Sequence, residues 1–133
     1  MIKQLAHICI LTHDLEKTRS FYQDALGLEM GFEFEREGTL FGYYISLGND
    51  TFIEVFQGEP GEVGNIQHVA IQATDLDALI DRIREYGYDV SDKTFGADNA
   101  WQAWVTDPNG IRIEFHEYTA ESNQIAGGTC KLD

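Results

Sequence analysis

The chain has 133 residues, 43% of them hydrophobic and 12% aromatic, enough for one compact domain or two half-domains and too apolar for disorder as its main state. A formal net charge of −14 excludes nucleic acid and an anionic membrane surface as partners, because both need a basic footprint; it leaves a small ligand open, since one metal ion reverses the field inside a cleft. No apolar run approaches the roughly 20 residues of a spanning helix, Met1-Ile2-Lys3-Gln4 has no signal-peptide layout, and Cys9 and Cys130 make no disulfide framework, so a soluble, cytoplasmic protein is expected.

Alternation predicts a first strand over 5–11, with Ala6, Ile8 and Ile10 on one face and His7, Cys9 and Leu11 on the other. Asp14 then caps a helix of about twelve residues, in which Leu15, Thr18, Phe21, Tyr22 and Ala25 recur at helical spacing and Gly27 supplies the left-handed end. Strands are predicted over 30–36, 41–47 and 51–57, the last two joined by a turn at Gly48-Asn49-Asp50. Residues 1–57 thus read as one β-α-β-β-β module, and the turn formers of 58–64 as a linker.

The same order recurs over 65–118. A strand over 67–73 precedes a helix capped by Asp75, with Leu76, Leu79, Ile80 and Ile83 as its apolar stripe and Gly87 at its end. Strands follow near 88–91, 100–106 and 111–118, with Asp107-Pro108-Asn109-Gly110 as the turn between the last two. Residues 119–133, rich in Ser, Asn, Gly and Thr, form a tail expected to be disordered or to wrap another element.

The two modules repeat each other in sequence as well. Ala6-His7-Ile8-Cys9-Ile10 is echoed by Gln67-His68-Val69-Ala70-Ile71, and Phe52-Ile53-Glu54-Val55-Phe56 by Arg112-Ile113-Glu114-Phe115-His116. A lone histidine on a half-buried strand is usually structural, and a lone glutamate usually faces solvent. Their recurrence at equivalent positions, on the face turned away from the helices, singles out His7, Glu54, His68 and Glu114 as metal ligands. Two imidazoles and two carboxylates balance a divalent cation and leave two positions for water or substrate. Such a set suits Ni, Zn, Co, Fe or Mn better than Ca or Mg.

Strand parity places more side chains beside these four. Arg112 and His116 flank Glu114, Phe52 and Phe56 flank Glu54, and Trp101, Trp104 and Tyr44 are expected as aromatic walls. Arg112, His116, Trp104, Phe56 and Tyr44 are the expected substrate contacts, with Arg112 suited to an anionic group. Aromatic residues in strands are more often ordinary core, and His116 serves equally as a rim residue without a role. Cys9 is expected to be a quiet, buried thiol.

Taken together, Leu5-Ala6-His7-Ile8, the helix from Asp14-Leu15 to Leu26-Gly27-Leu28, Phe52-Ile53-Glu54-Val55, Gln67-His68-Val69-Ala70 and Asp107-Pro108-Asn109-Gly110 leading to Ile113-Glu114-Phe115 resemble the vicinal oxygen chelate superfamily, and within it glyoxalase I, the lactoylglutathione lyase. The resemblance covers roughly residues 3–118. It implies an α+β fold in which two βαβββ modules form a cupped mixed sheet (glyoxalase/bleomycin resistance/dihydroxybiphenyl dioxygenase-like), and a homodimer. It also implies that the four ligands hold an ion stabilising an enediolate, and that Glu114, shared with Glu54, carries the proton. One position departs from the pattern: glyoxalase I enzymes place an arginine four residues after the first histidine, where this chain has Leu11. A 2-oxoaldehyde thiol adduct, or another small oxygen-chelating substrate, is the expected reactant. An Fe(II) extradiol-type dioxygenase using His7, His68 and Glu114, and a non-catalytic binder of bleomycin-resistance type, are the alternatives. Glu54 counts against the first, because it fills a position oxygen chemistry leaves open. The intact quartet counts against the second.

Overall fold

The computed structural model describes Met1, residues 3–62 and residues 66–132. The chain divides into two units, Met1–Glu62 and Val63–Asp133, each built on one four-stranded mixed sheet. Of the linker expected over 58–64, residues 58–62 hold neither helix nor strand, and 63–64 lie outside the described residues.

In the first unit, β1 (His7–Thr12) leads to α1 (Leu15–Arg19) and then to β2 (Glu29–Arg36), β3 (Thr39–Gly48) and β4 (Thr51–Gln57). The sheet order is β1-β4-β3-β2, with β1 and β4 parallel and the other pairs antiparallel. Asp14 caps α1 by accepting from the Lys17 amide at 2.9 Å. The predicted helix of about twelve residues changes character midway, because Ser20–Ala25 forms a π-helical run closed by the Leu26 amide bonding back to the Phe21 carbonyl. Phe21 and Tyr22 are consecutive, both under 2% exposed, and meet edge to face at 4.9 Å. The wider turn lets both rings lie on the sheet, which an α-helical turn offers less readily. Gly27, at φ +71°, ends the segment. The core lies under it, formed by Ile10, Leu15, Phe21, Tyr22, Tyr43, Ile45, Ile53 and Val55.

In the second unit, β5 (Val69–Gln72) leads to α2 (Leu76–Glu85), then β6 (Thr94–Phe95), β7 (Trp101–Thr106) and β8 (Arg112–Glu117), in sheet order β5-β8-β7-β6. Asp75 caps α2 through the Ala78 amide, and Leu76, Ile80 and Ile83 bury the helix against Ala103, Val105, Ile113 and Phe115. In the turn before β8 the Asp107 carboxylate, itself 4% exposed, accepts from the Asn109 and Ile111 amides at 2.8 Å each.

One expectation is corrected here. The strand expected at 88–91 reduces to one bridge, Val90 to Val105, and the fourth strand of the sheet is the two-residue β6. Ser91 is the cause: its amide donates to the Trp104 carbonyl, but its hydroxyl takes the Trp104 amide at 2.8 Å, so a side chain stands where a ladder partner would. The tail folds back through the short helix α3 (Asn123–Ala126), whose Asn123 amide bonds to the Asp98 carbonyl, while the Thr119 hydroxyl bonds to the Asn99 carbonyl.

Candidate functional site: two matching His–Glu half-sites

Strand pairing sets the geometry of each half-site. In the first unit, β1 and β4 run parallel with Cys9 opposite Glu54, and Tyr44 of β3 lies opposite Glu54 from the other side. Alternation buries Ile10, Ile53 and Val55 under the helix and leaves His7, Glu54 and Tyr44 on the far face. His7 Nε2 stands 3.9 Å from Glu54 Oε1, while its Nδ1 meets the Tyr44 hydroxyl at 3.3 Å. Holding one ring nitrogen is how a histidine is oriented to offer the other. Hydrogen bonding to Glu54, then burial, raises the Tyr44 hydroxyl above its ordinary value.

The second unit repeats the arrangement. Ala70 and Trp104 pair with Glu114 from the two sides, and His68 Nε2 lies 3.3 Å from Glu114 Oε2. The other oxygen, Oε1, is held by His116 Nε2 at 2.8 Å. The Trp104 indole takes the place that Tyr44 has in the first unit, meeting the His68 ring edge to face at 5.0 Å.

These carboxylates stand mostly out of water, with side-chain exposures of 14% for Glu54 and 10% for Glu114. Among the described residues neither has a Lys or Arg within ion-pair distance. A carboxylate so placed is costly unless a cation shares it. Two donors held by one first-row ion at about 2.1 Å each stand about 3 Å apart when adjacent and about 4 Å when opposite. The 3.3 and 3.9 Å separations fall in that interval, so each half-site fits a divalent ion as a two-donor fragment. Among the described residues no group of three or more His, Cys, Asp or Glu side chains is placed to hold an ion.

Around the first half-site lies an aromatic face larger than parity in β4 alone suggests. Tyr44 contacts Phe32 at 4.4 Å, Phe52 at 5.2 Å and Phe34 at 5.7 Å, and Phe34 continues to Phe56 at 4.9 Å. Phe56 lies over Gly42, its partner in β3, where any Cβ would collide with the ring. Phe32 and Phe34 were not among the expected site residues; their signal was the alternation of Met30, Phe32, Phe34 and Arg36 along β2.

Of the remaining expected contacts, Arg112 lies on the second unit's site face, its guanidinium over the Trp104 ring at 4.3 Å. Trp101 does not share that wall: one residue out of phase with Gln102 and Trp104, it packs on Phe95 at 4.8 Å and on Lys93. Cys9 is exposed, not buried. Close packing around the sulfur, and then the hydrogen bond to Glu54, push its thiol up to about 11, so it stays protonated at neutral pH.

A family model described as "Glyoxalase/Bleomycin resistance protein/Dioxygenase superfamily" matches residues 4–115. The chain belongs to this superfamily. It is 25% identical over 133 residues to a lactoylglutathione lyase of Neisseria meningitidis serogroup A, covering 92% of this chain and 96% of that protein. A metapyrocatechase of Geobacillus stearothermophilus is 27% identical over 119 residues, 85% of this chain but 36% of the enzyme, so the chain spans about a third of that relative's length. Among solved structures, the antibiotic binding protein TnmS3 from Streptomyces sp. CB03234 superposes with a TM-score of 0.75 at 21% identity, covering 89% of this chain and 98% of that one, which shows the shared fold. The superfamily includes enzymes, and no helix among the described residues is long and apolar enough to cross a membrane.

Proposed function

We propose that the protein is a metal-dependent lyase or isomerase of glyoxalase I type, acting on a 2-oxoaldehyde thiol adduct or a similar small substrate with two adjacent oxygens. The observation that carries the reading is the duplicated half-site: in both repeats a largely buried glutamate faces a histidine at ligand spacing, with no Lys or Arg among the described residues within ion-pair distance. His7, Glu54, His68 and Glu114 are the proposed ligands, one ion serving both half-sites. A bound divalent ion supplies Lewis-acid polarisation of a substrate carbonyl, which acidifies the neighbouring C–H.

The side chains supply the rest. Glu114 is the proposed proton carrier: its carboxylate accepts a proton from one substrate carbon and returns it to the next, as a positioned general base then acid. His116, bonded to Oε1 at 2.8 Å, fixes the carboxylate's rotation so that Oε2 keeps a constant direction. Glu54 shares the role through the first half-site. The aromatic face of Phe34, Tyr44, Phe52 and Phe56 keeps water from an apolar part of the substrate.

Elemental analysis of protein purified without added ions, followed by assays on 2-oxoaldehydes with and without several thiols, tests the reading. Glu54→Gln and Glu114→Gln are each expected to lower turnover by about 10²- to 10⁴-fold with the fold intact. Full activity in both variants overturns the mechanism.

One observation favours a second reading. The continuous aromatic face also suits a protein that binds a planar ligand without turning it over, and TnmS3, which shares the fold, is an antibiotic binding protein. Protein that purifies free of metal, shows no turnover, and still quenches on titration with planar aromatics decides for it.

A further inference from the structure

We propose that Arg112 and the groove beside it form a subsite for a carboxylate on the substrate. This rests on the lyase reading above and adds to it the charge of the substrate's far end. The groove, about 830 Å³, lies within the second unit between the Gly87–Ser91 segment and the strand run from Trp104 to Thr106, with Arg112 on its wall.

Register places the subsite next to the proposed chemistry. Arg112 is two residues before Glu114 on β8 and so shares its face, and Trp104, opposite Glu114, touches both His68 and Arg112. The indole therefore links the half-site to the guanidinium. Stacking at 4.3 Å holds the fork in one plane while leaving its N–H edge free, since among the described residues it meets no carboxylate within 4.0 Å and donates no hydrogen bond. Arg19 and Arg84 of the same acidic chain both sit on carboxylates at 2.8 Å. A held, unpaired guanidinium beside an open groove suits bidentate binding of a planar anion.

Asp89 narrows the choice of anion. It lines the same groove, so a dianionic phosphate meets more repulsion there than a monoanionic carboxylate. The groove walls are fixed, because Ser91 is bonded to Trp104 through both its amide and its hydroxyl.

The test uses the whole chain, freed of metal by a chelator and then dialysed, so that its outcome is independent of the metal reading. Propionate, its neutral isostere propionamide, and inorganic phosphate are titrated at constant ionic strength. The Trp104 indole N–H and Arg112 Nε–H signals are followed by NMR, with the Trp101 indole as internal control. Propionate is expected to shift both signals saturably, propionamide to shift neither, and phosphate to bind more weakly than propionate. Arg112→Gln is expected to weaken propionate binding by about tenfold, Arg112→Lys by less, and Asp89→Asn to tighten it. Equal shifts from propionamide, unchanged binding in Arg112→Gln, or tighter binding of phosphate overturns the proposal. Failure here with ion binding intact removes only the carboxylate subsite. Absence of ion binding with the subsite intact removes only the metal reading.

Discussion

Tyr43 and Tyr44 are neighbours in β3 that strand parity sends to opposite faces. Tyr44 goes to the half-site and is tuned by Glu54, while Tyr43 goes into the core, fully buried, and donates to the Leu15 carbonyl at 2.7 Å. That bond ties the first turn of α1 to the sheet that carries Glu54, although it is far from any proposed chemistry. Phenylalanine at 43 keeps the ring but removes the hydroxyl's bond to a carbonyl that the helix ladder still engages, an expected loss of about 0.5–1.5 kcal/mol at neutral pH. Burial, opposed by Arg19 over the ring, holds the Tyr43 hydroxyl well above the usual tyrosine range. A raised folded-state value stabilises fully below the unfolded value, near pH 10, and is lost as pH climbs toward the folded one. Urea denaturation should therefore show the native protein losing stability above about pH 10, and Tyr43→Phe starting lower but declining less. Identical alkaline slopes would remove the assigned cause.

At the scale of elements, most boundaries follow from side chains visible in the sequence: Asp14 and Asp75 both cap as their position before an apolar stripe suggests, and Gly27 and Gly87 both end their helices with positive φ. The parts that were not legible depend on partners distant in sequence. Whether 88–91 becomes a strand is decided by the Ser91 hydroxyl reaching Trp104, and the π-helical run is decided by two adjacent rings both needing the sheet. The shared face of His7, Glu54, His68 and Glu114 was legible through period-2 parity, whereas Phe32 and Phe34, which alternate along β2, are joined to it only by the register that sets them against the Tyr44 and Phe56 rings. The tail is a similar case. Polar and rich in glycine, it gives no periodic signal, and it is placed by Gln124 donating to the Asp98 carboxylate at 2.6 Å and by Asn123 donating to the same residue's carbonyl. That side-chain bond, aided by the Ala100 amide, holds Asp98 below its ordinary value. A lowered folded-state value stabilises above the unfolded one, near pH 4, and is lost as pH falls through the folded one. Acidification below about pH 4 should release α3 before the sheets melt, with hydrogen exchange at Asn123 and Ala126 accelerating first. Gln124→Ala should show that release already at neutral pH, and protection unchanged across the range would detach the tail's placement from Asp98.

At the scale of the molecule, duplication makes a demand that neither half makes alone. Each unit offers a histidine and a glutamate at ligand spacing, and two donors hold a first-row ion weakly beside four. If one ion serves both half-sites, its binding energy belongs to the pair, and removing either histidine costs nearly all of it. An ion present at a hundred times its dissociation constant stabilises the folded protein by about 2.7 kcal/mol, which for a chain of this size raises the melting temperature by about 10 °C. Melting curves with Zn, Ni, Co or Mn before and after chelator should show that rise in the native protein. The rise should vanish in His7→Ala and equally in His68→Ala, and the double variant should lose nothing further. Separate, independent half-sites predict the contrary: each single variant would retain the contribution of the half left intact. Light scattering on the same samples checks the homodimer that the family resemblance implies, which requires twice the 15.0 kDa chain mass. Sharing is thus distinguishable from mere duplication by whether the two histidines act as one unit, because free energies of independent sites add and those of a common site do not.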